Sequence, residues 1–211
     1  RRVEARGGQV LCPVFAKNRA SNVVLPMVEA GIVPYVDGLA RNLMAVEIEN
    51  FAELVKEGKI LLFPRAEKYE ERKLVNDLRS KVADGWEGFH PIVSPSATMD
   101  KGFAVKHAIL VLQKRENALF LTGHVFDRSA AQRLLKTRRG DTIHLVNHVG
   151  NQEEEVAVNV RAEVERFDLT SHDYRSALAE RVRLANPEVC IIHHAGQHEG
   201  VSGYDGLRSK I

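Results

Sequence analysis

Short apolar runs alternate with longer amphipathic stretches along most of this chain. Val10 to Phe15, Val33 to Val36, Ile60 to Phe63, Pro91 to Val93 and Ala118 to Leu121 have the length and composition of buried strands. Between them lie helical patterns. Ser21 is placed to cap a helix that runs through Val24 and Met27 to Ala30 and stops at Gly31. Pro26 falls in its early turns, where proline is better tolerated. Leu39 to Lys56 predicts a helix broken near Asn50. Glu67 to Val82 predicts the longest helix, with one exposed face. Lys101 to Gln113 and Ser129 to Lys136 predict two more. Asp141 to Val146 and Glu155 to Phe167 alternate as strands around a polar turn at Gly150-Asn151-Gln152. This order predicts an α/β fold with a late antiparallel pair.

The last quarter holds the residues most suited to chemistry. Phe167-Asp168-Leu169-Thr170-Ser171-His172 and Val189-Cys190-Ile191-Ile192-His193-His194 each read as an apolar strand ending in histidine, joined by a helix from Tyr174 to Asn186. Strands joined by a helix lie parallel, with their carboxyl ends on one edge of the sheet. Open α/β sheets bind their ligands at that edge. His172 and His194 are therefore expected to face one site. Imidazole ligates metals and transfers protons near neutral pH, so the pair suggests metal-assisted chemistry.

Composition narrows the partners. The 211 residues are 44% apolar and 27% charged, as in ordinary globular proteins. A net charge of +2 does not by itself argue for nucleic acid, so a phosphate-binding surface has to come from local clustering. The run Arg133-Leu-Leu-Lys136-Thr-Arg138-Arg139 is one candidate; a solvated helix end is its commoner reading. Cys12 and Cys190 sit in apolar runs outside any Cys-x-x-Cys pair, and read as buried thiols of a reducing, cytoplasmic compartment. No apolar run reaches membrane-spanning length, so no membrane partner is expected. No signal peptide opens the chain, and without an initiator methionine it reads as part of a longer product.

Six segments, in order, resemble the β-CASP branch of the metallo-β-lactamase superfamily, a group of RNA-processing nucleases. They are Gly7-Gly8-Gln9-Val10-Leu11-Cys12-Pro13-Val14-Phe15-Ala16 with Arg19-Ala20; Pro34-Tyr35-Val36-Asp37-Gly38-Leu39-Ala40; Ile92-Val93-Ser94-Pro95-Ser96 with Met99 and Gly102; Leu119-Phe120-Leu121-Thr122-Gly123-His124 with Arg133-Leu134-Leu135; Phe167 to His172, similar to the family's Ser-x-His motif; and Ile192-His193-His194. Departures are Asn18 for a glycine, His124 for an aromatic, Asp173 one place early for the family's acid, and Ala195-Gly196 for Gly-Glu. The family's main zinc motif, His-x-His-x-Asp-His, does not occur in these residues.

The resemblance implies a β-CASP domain at 1–165, a parallel sheet flanked by helices, followed at 166–211 by the C-terminal portion of a metallo-β-lactamase αββα sandwich. It implies a zinc-dependent ribonuclease with two zinc ions, most of whose ligands lie in an N-terminal metallo-β-lactamase segment preceding this chain. The chain alone is then expected to be inactive. Its partners would be RNA, that N-terminal segment and, as one assembly, a second copy in a homodimer. The alternative is a non-catalytic homologue that binds RNA or scaffolds a processing complex.

By the same resemblance His194 is a zinc ligand, and His172 is the general acid for the leaving 3′-oxygen or a phosphate binder. Each has a plainer reading as a hydrogen-bonded structural histidine. Ser171 and Thr170 bind RNA phosphate or simply cap a helix. Ser94 and Ser96 line the RNA channel or shape a turn at Pro95. His124 points into the cleft or sits on a surface loop. Asp37 neighbours the active site or makes an Asp-Gly turn, and Arg19 contacts phosphate or pairs with an acid.

Overall fold

The computed structural model describes residues 1–149, 152–167, 169 and 175–190. It divides into two compact units, Arg1–Leu169 and Thr170–Ile211. The strands are β1 (Val10–Pro13), β2 (Tyr35–Val36), β3 (Leu61–Leu62), β4 (Ile92–Ser94), β5 (Ala118–Leu121), β6 (Thr142–Val149), β7 (Gln152–Asn159) and β8 (Glu163–Arg166). The helices are α1 (Arg19–Glu29), α2 (Leu39–Glu47), α3 (Phe51–Lys56), α4 (Tyr69–Ala83), α5 (Phe103–Val111), α6 (Ala130–Lys136) and α7 (Arg175–Ala185).

Six strands form one parallel sheet in the order β3-β2-β4-β1-β5-β8. The central strands read as unbroken apolar runs because both their faces are covered. Leu11, Tyr35, Ile92 and Leu119 point to one face and pack with Val82 of α4, Val105 of α5 and Leu134 of α6. Their neighbours Cys12, Val36, Val93 and Ala118 point the other way, onto Ala20 and Val24 of α1, Met44 of α2 and Leu54 of α3. The first unit is thus three layers, with an apolar cluster on each side of the sheet, as the α/β reading required.

The 39–56 stretch is two helices parted at 48–50, as the expected break near Asn50 required, with Ile48 extended. Other boundaries differ from the sequence reading. α1 begins at Arg19, and Ser21 lies inside it rather than capping it. The Ser21 hydroxyl instead donates to Glu47 Oε2 at 2.8 Å, while Asn18 N donates to Glu47 Oε1 at 2.8 Å. A carboxylate from the end of α2 therefore caps α1, where the helix dipole favours a negative charge. Asn18 has φ 59°, a left-handed conformation that asparagine tolerates better than other side chains and that glycine adopts freely. That geometry explains the substitution seen at this position.

Glu155 to Phe167 is not one strand. β7 pairs antiparallel with β6, whereas β8 lies parallel beside β5. The chain is turned between them by Val160 N donating to Asp141 O, and by Arg161 N and Ala162 N both donating to Leu112 O. In the second unit the described helix is α7, within the stretch expected to be helical. Val189 and Cys190 belong to no strand, and Cys190 is exposed, so it is not the buried thiol the sequence suggested. Cys12 is buried, and burial pushes its thiol up to about 12, which makes it inert.

Candidate functional site

The carboxyl ends of the parallel strands lead into loops that carry Asp37, Ser96 and His124. At the end of β2, Asp37 is 3% exposed. Its Oδ2 accepts from Arg79 Nε at 2.9 Å and from His107 Nε2 at 2.8 Å, and its Oδ1 accepts from Gly38 N at 2.7 Å. Burial by itself would raise the Asp37 carboxyl. The hydrogen bond from His107 and the hydrogen bond and charge of Arg79 outweigh it and bring the group down to about 2. His107 is pushed below its ordinary value, first by burial and then by the charges of Arg79 and Lys106, against the pull of Asp37. It therefore supplies Asp37 with a neutral N–H, and Arg79 supplies the compensating charge. These bonds tie α4 and α5 to the end of β2.

Beside this cluster opens a cleft of about 1030 Å³. Its walls are the start of α2, the segment from Pro64 into α4, the start of α5, and Asn147 and His148 of β6. Arg41, Arg65, Arg72, Lys73, Arg79 and Lys106 line it, against the carboxylates of Asp37 and Glu67. Arg41 Nη1 donates to the carbonyl of Phe63, Arg65 Nη2 to Asn42 Oδ1, and Arg72 Nη2 to the carbonyl of Glu67. These three guanidinium groups are held by neutral oxygens. Burial first, and then the Arg79 and Arg72 charges, lower the Lys106 ammonium; burial and Arg65 lower Arg41. Phe103 lies under two cations, 4.6 Å from the Arg79 guanidinium and 5.6 Å from the Lys106 ammonium.

Glycines let the two flanking helices begin this close. Gly38 precedes α2 with φ 66° and ψ −149°, a region essentially reserved for glycine, and a Cβ there would lie 2.9 Å from the Phe103 ring. Gly102 precedes α5 with φ 90°, and its Cβ would lie 3.0 Å from the Pro95 carbonyl oxygen.

The central loops hold the other candidates. Ser94 is fully buried and its hydroxyl donates to the Pro95 carbonyl at 3.4 Å. Ser96 is half-buried; its Oγ lies 2.9 Å from Thr98 Oγ1 and accepts from Thr98 N at 3.2 Å. His124, after β5, is exposed, with its ring edge-to-face on Phe126, which in turn meets Phe15. Thr122 is buried, and its hydroxyl has no partner among the described residues. Arg19 is buried at the start of α1. His144 and His148 share one face of the β6–β7 ribbon beside Glu155 and Glu153, at 3.5 and 3.7 Å. The basic run from Arg133 forms the last turn of α6 and the loop after it.

Thr170, Ser171, His172 and His194 lie outside the described residues, as does Asp173. Among the described residues no group of three or more His, Cys, Asp or Glu could hold a metal ion. No described helix is long and apolar enough to cross a membrane. The residues that sequence reasoning missed are the cations of the cleft and His107. They are scattered from 41 to 107, and no local spacing flags them.

The first unit is thus a three-layer α/β domain with a cationic cleft at the carboxyl edge of its parallel sheet. No family model matches the chain. It is similar to a protein named Probable RNase MJ4 from Methanocaldococcus jannaschii, at 25% identity over 226 residues. The alignment takes in 98% of this chain and 47% of that protein, so the chain spans about half the length of this relative.

Proposed function

We propose that this chain is the substrate-clamping part of a zinc-dependent ribonuclease of the β-CASP type. The observation that carries the reading is the alignment of 98% of the chain with a protein named as a probable RNase. The geometry supports it. Ser96, Thr98 and His124 sit on loops at the carboxyl edge of the sheet, where open α/β folds place their ligands. The same edge carries an excess of positive charge suited to a phosphodiester strand.

In this reading residues 1–165 clamp RNA, and residues 166–211 complete a catalytic domain whose larger part precedes the chain. His194 ligates zinc, and His172 protonates the leaving 3′-oxygen. Thr170 and Ser171 hydrogen-bond the scissile phosphate. Zinc, when bound, supplies Lewis-acid stabilisation of the phosphate and an activated water.

The test is cleavage of a labelled single-stranded RNA by the full-length protein. Cleavage is expected, lost on chelation and restored by zinc, with none from the 211-residue chain alone. Metal-independent cleavage, or cleavage by the isolated chain, overturns the reading.

A further inference from the structure

We infer that the cleft between the starts of α2, α4 and α5 is a binding site for a chain of consecutive phosphates. Its cations come from separate elements and converge on one space of about 1030 Å³. Among the described residues none of Arg41, Arg65, Arg72, Lys73 and Lys106 has a carboxylate within salt-bridge distance. The described ion pair in the cleft is the buried one between Arg79 and Asp37. Lys81, also on α4, pairs with Asp77. What sets the cleft apart is that five cations without such a partner among the described residues line one space. Three guanidinium groups are oriented by neutral oxygens, which fixes their direction and leaves their charge unspent.

Concentrated charge of this kind is unfavourable in the empty protein. Burial first, and then the Arg79 and Arg72 charges, lower the Lys106 ammonium, so crowding of like charge adds to the cost of burial there. A ligand that repays it must bring several negative charges into a small volume. Phosphates joined in a row do so, and the planar fork of arginine matches phosphate oxygens. A lone carboxylate would satisfy one cation and leave the rest. One further feature fits an anion. α2 and α5 both start at the cleft with glycine N-caps, no side-chain cap and no acidic residue in the first turn. Tyr69, 77% exposed at the rim, offers a ring face for a base attached to the phosphates.

The same chemistry is carried by an RNA backbone and by a free nucleoside polyphosphate, and the experiment separates them. The full-length protein is titrated, with metal chelated so that no cleavage occurs, against inorganic phosphate, tripolyphosphate, ATP and a short single-stranded RNA. Tripolyphosphate is expected to bind more tightly than phosphate. Arg65→Ala and Arg72→Ala, both at exposed positions, are each expected to weaken that binding about tenfold. A control, Arg133→Ala/Lys136→Ala on α6, removes two positive charges elsewhere, against one in each cleft variant, and is expected to leave it unchanged. Thermal melts confirm folding, and Lys73→Ala stands in if either arginine variant melts early. If ATP competes with RNA and both lose affinity in the cleft variants, both sources use the site; if one of them alone does so, that one is its ligand. Either outcome upholds the site. Equal loss in the α6 control, undiminished binding in the cleft variants, or binding of phosphate as tight as that of tripolyphosphate overturns it. Because binding is read without cleavage, this result stands apart from whether the protein is a nuclease.

Discussion

Arg79 Nε donates to Asp37 Oδ2 at 2.9 Å, an ion pair between residues 42 apart in sequence and both buried. It joins α4 to the end of β2 and forms the floor of the cationic cleft. Removing one charge of a buried pair strands the other, which costs more than removing both. Asp37→Asn is therefore expected to destabilise the protein by about 3 kcal/mol. Asp37→Asn/Arg79→Met, which strands no charge, is expected to recover much of that loss. Urea unfolding of both variants checks this; a single variant no less stable than the double would refute the stranded-charge account.

His107 adds a pH dependence. Asp37 from β2, Arg79 from α4 and Lys106 from its own helix act on it, and Phe63 packs on its ring at 4.9 Å. Its folded-state pKa lies below the ordinary 6.5, burial being the largest cause. As pH falls through that ordinary value, the unfolded chain takes up a proton that the folded one refuses. The unfolded state then binds more protons, so stability falls with falling pH. The loss is complete once pH passes below the lowered folded value. Asp37, at about 2, and the other depressed carboxylates act in a more acidic window. Between about pH 7 and about pH 5 the stability of the native protein should therefore drop more steeply than that of His107→Gln. Parallel slopes in denaturant titrations at several pH values would remove His107 as the cause.

The fold was legible wherever a run of side chains points at once to both faces of a sheet. Leu11 and Cys12 face opposite apolar clusters, and that two-sided burial is what a continuous run such as Val10 to Phe15 predicts. Pattern failed where the chain turns by backbone hydrogen bonds to distant partners, as at Arg161 and Ala162, which both donate to Leu112. It failed again at α1, whose cap is the side chain of Glu47 from another helix rather than the nearby Ser21. The site was less legible than the fold. The basic run at Arg133 drew attention because it is contiguous, yet the cleft gathers Arg41, Arg72 and Lys106 from separate elements. At Asp37 nothing local signals the partners Arg79 and His107, which come from 42 and 70 residues away.

Gly38 sets the close approach of α2 and α5. Alanine there meets both a backbone conformation foreign to side chains and the Phe103 ring at 2.9 Å. Gly38→Ala is expected to cost about 1–3 kcal/mol from the backbone conformation alone. Shifting Phe103 also disturbs the surface under Arg79 and Lys106, so tripolyphosphate affinity should fall along with the melting temperature. Gly31→Ala is the comparison. It also has positive φ, at 69°, but no atom within 4 Å of the added Cβ, so it should show a smaller stability loss and unchanged affinity.

The proposed catalytic roles separate His194 from His172 by readout. A zinc ligand and a general acid both abolish turnover when removed, but only the ligand changes metal content. In the full-length protein His194→Ala is expected to lower bound zinc and activity together. His172→Ala is expected to keep the zinc and lose about a hundredfold or more in kcat, the usual worth of a positioned acid. Elemental analysis alongside RNA cleavage decides it. Full zinc and full activity in either variant would remove that residue from the site.

Asn18 offers a test of why one residue stands where the resembling family has glycine. Its φ of 59° is left-handed, and Glu47 accepts from its backbone N–H rather than from its side chain. The asparagine amide is therefore dispensable and only backbone tolerance matters. Asn18→Gly should be at least as stable as the native protein, whereas Asn18→Ala should lose about 1 kcal/mol. Glu47→Gln weakens the charged cap that closes the same turn, and should lose about 1 kcal/mol as well. Its loss should add to that of Asn18→Ala only in part, because the two share a hydrogen bond. Full additivity in a double-mutant cycle would mean that the carboxylate stabilises α1 without acting through the Asn18 backbone.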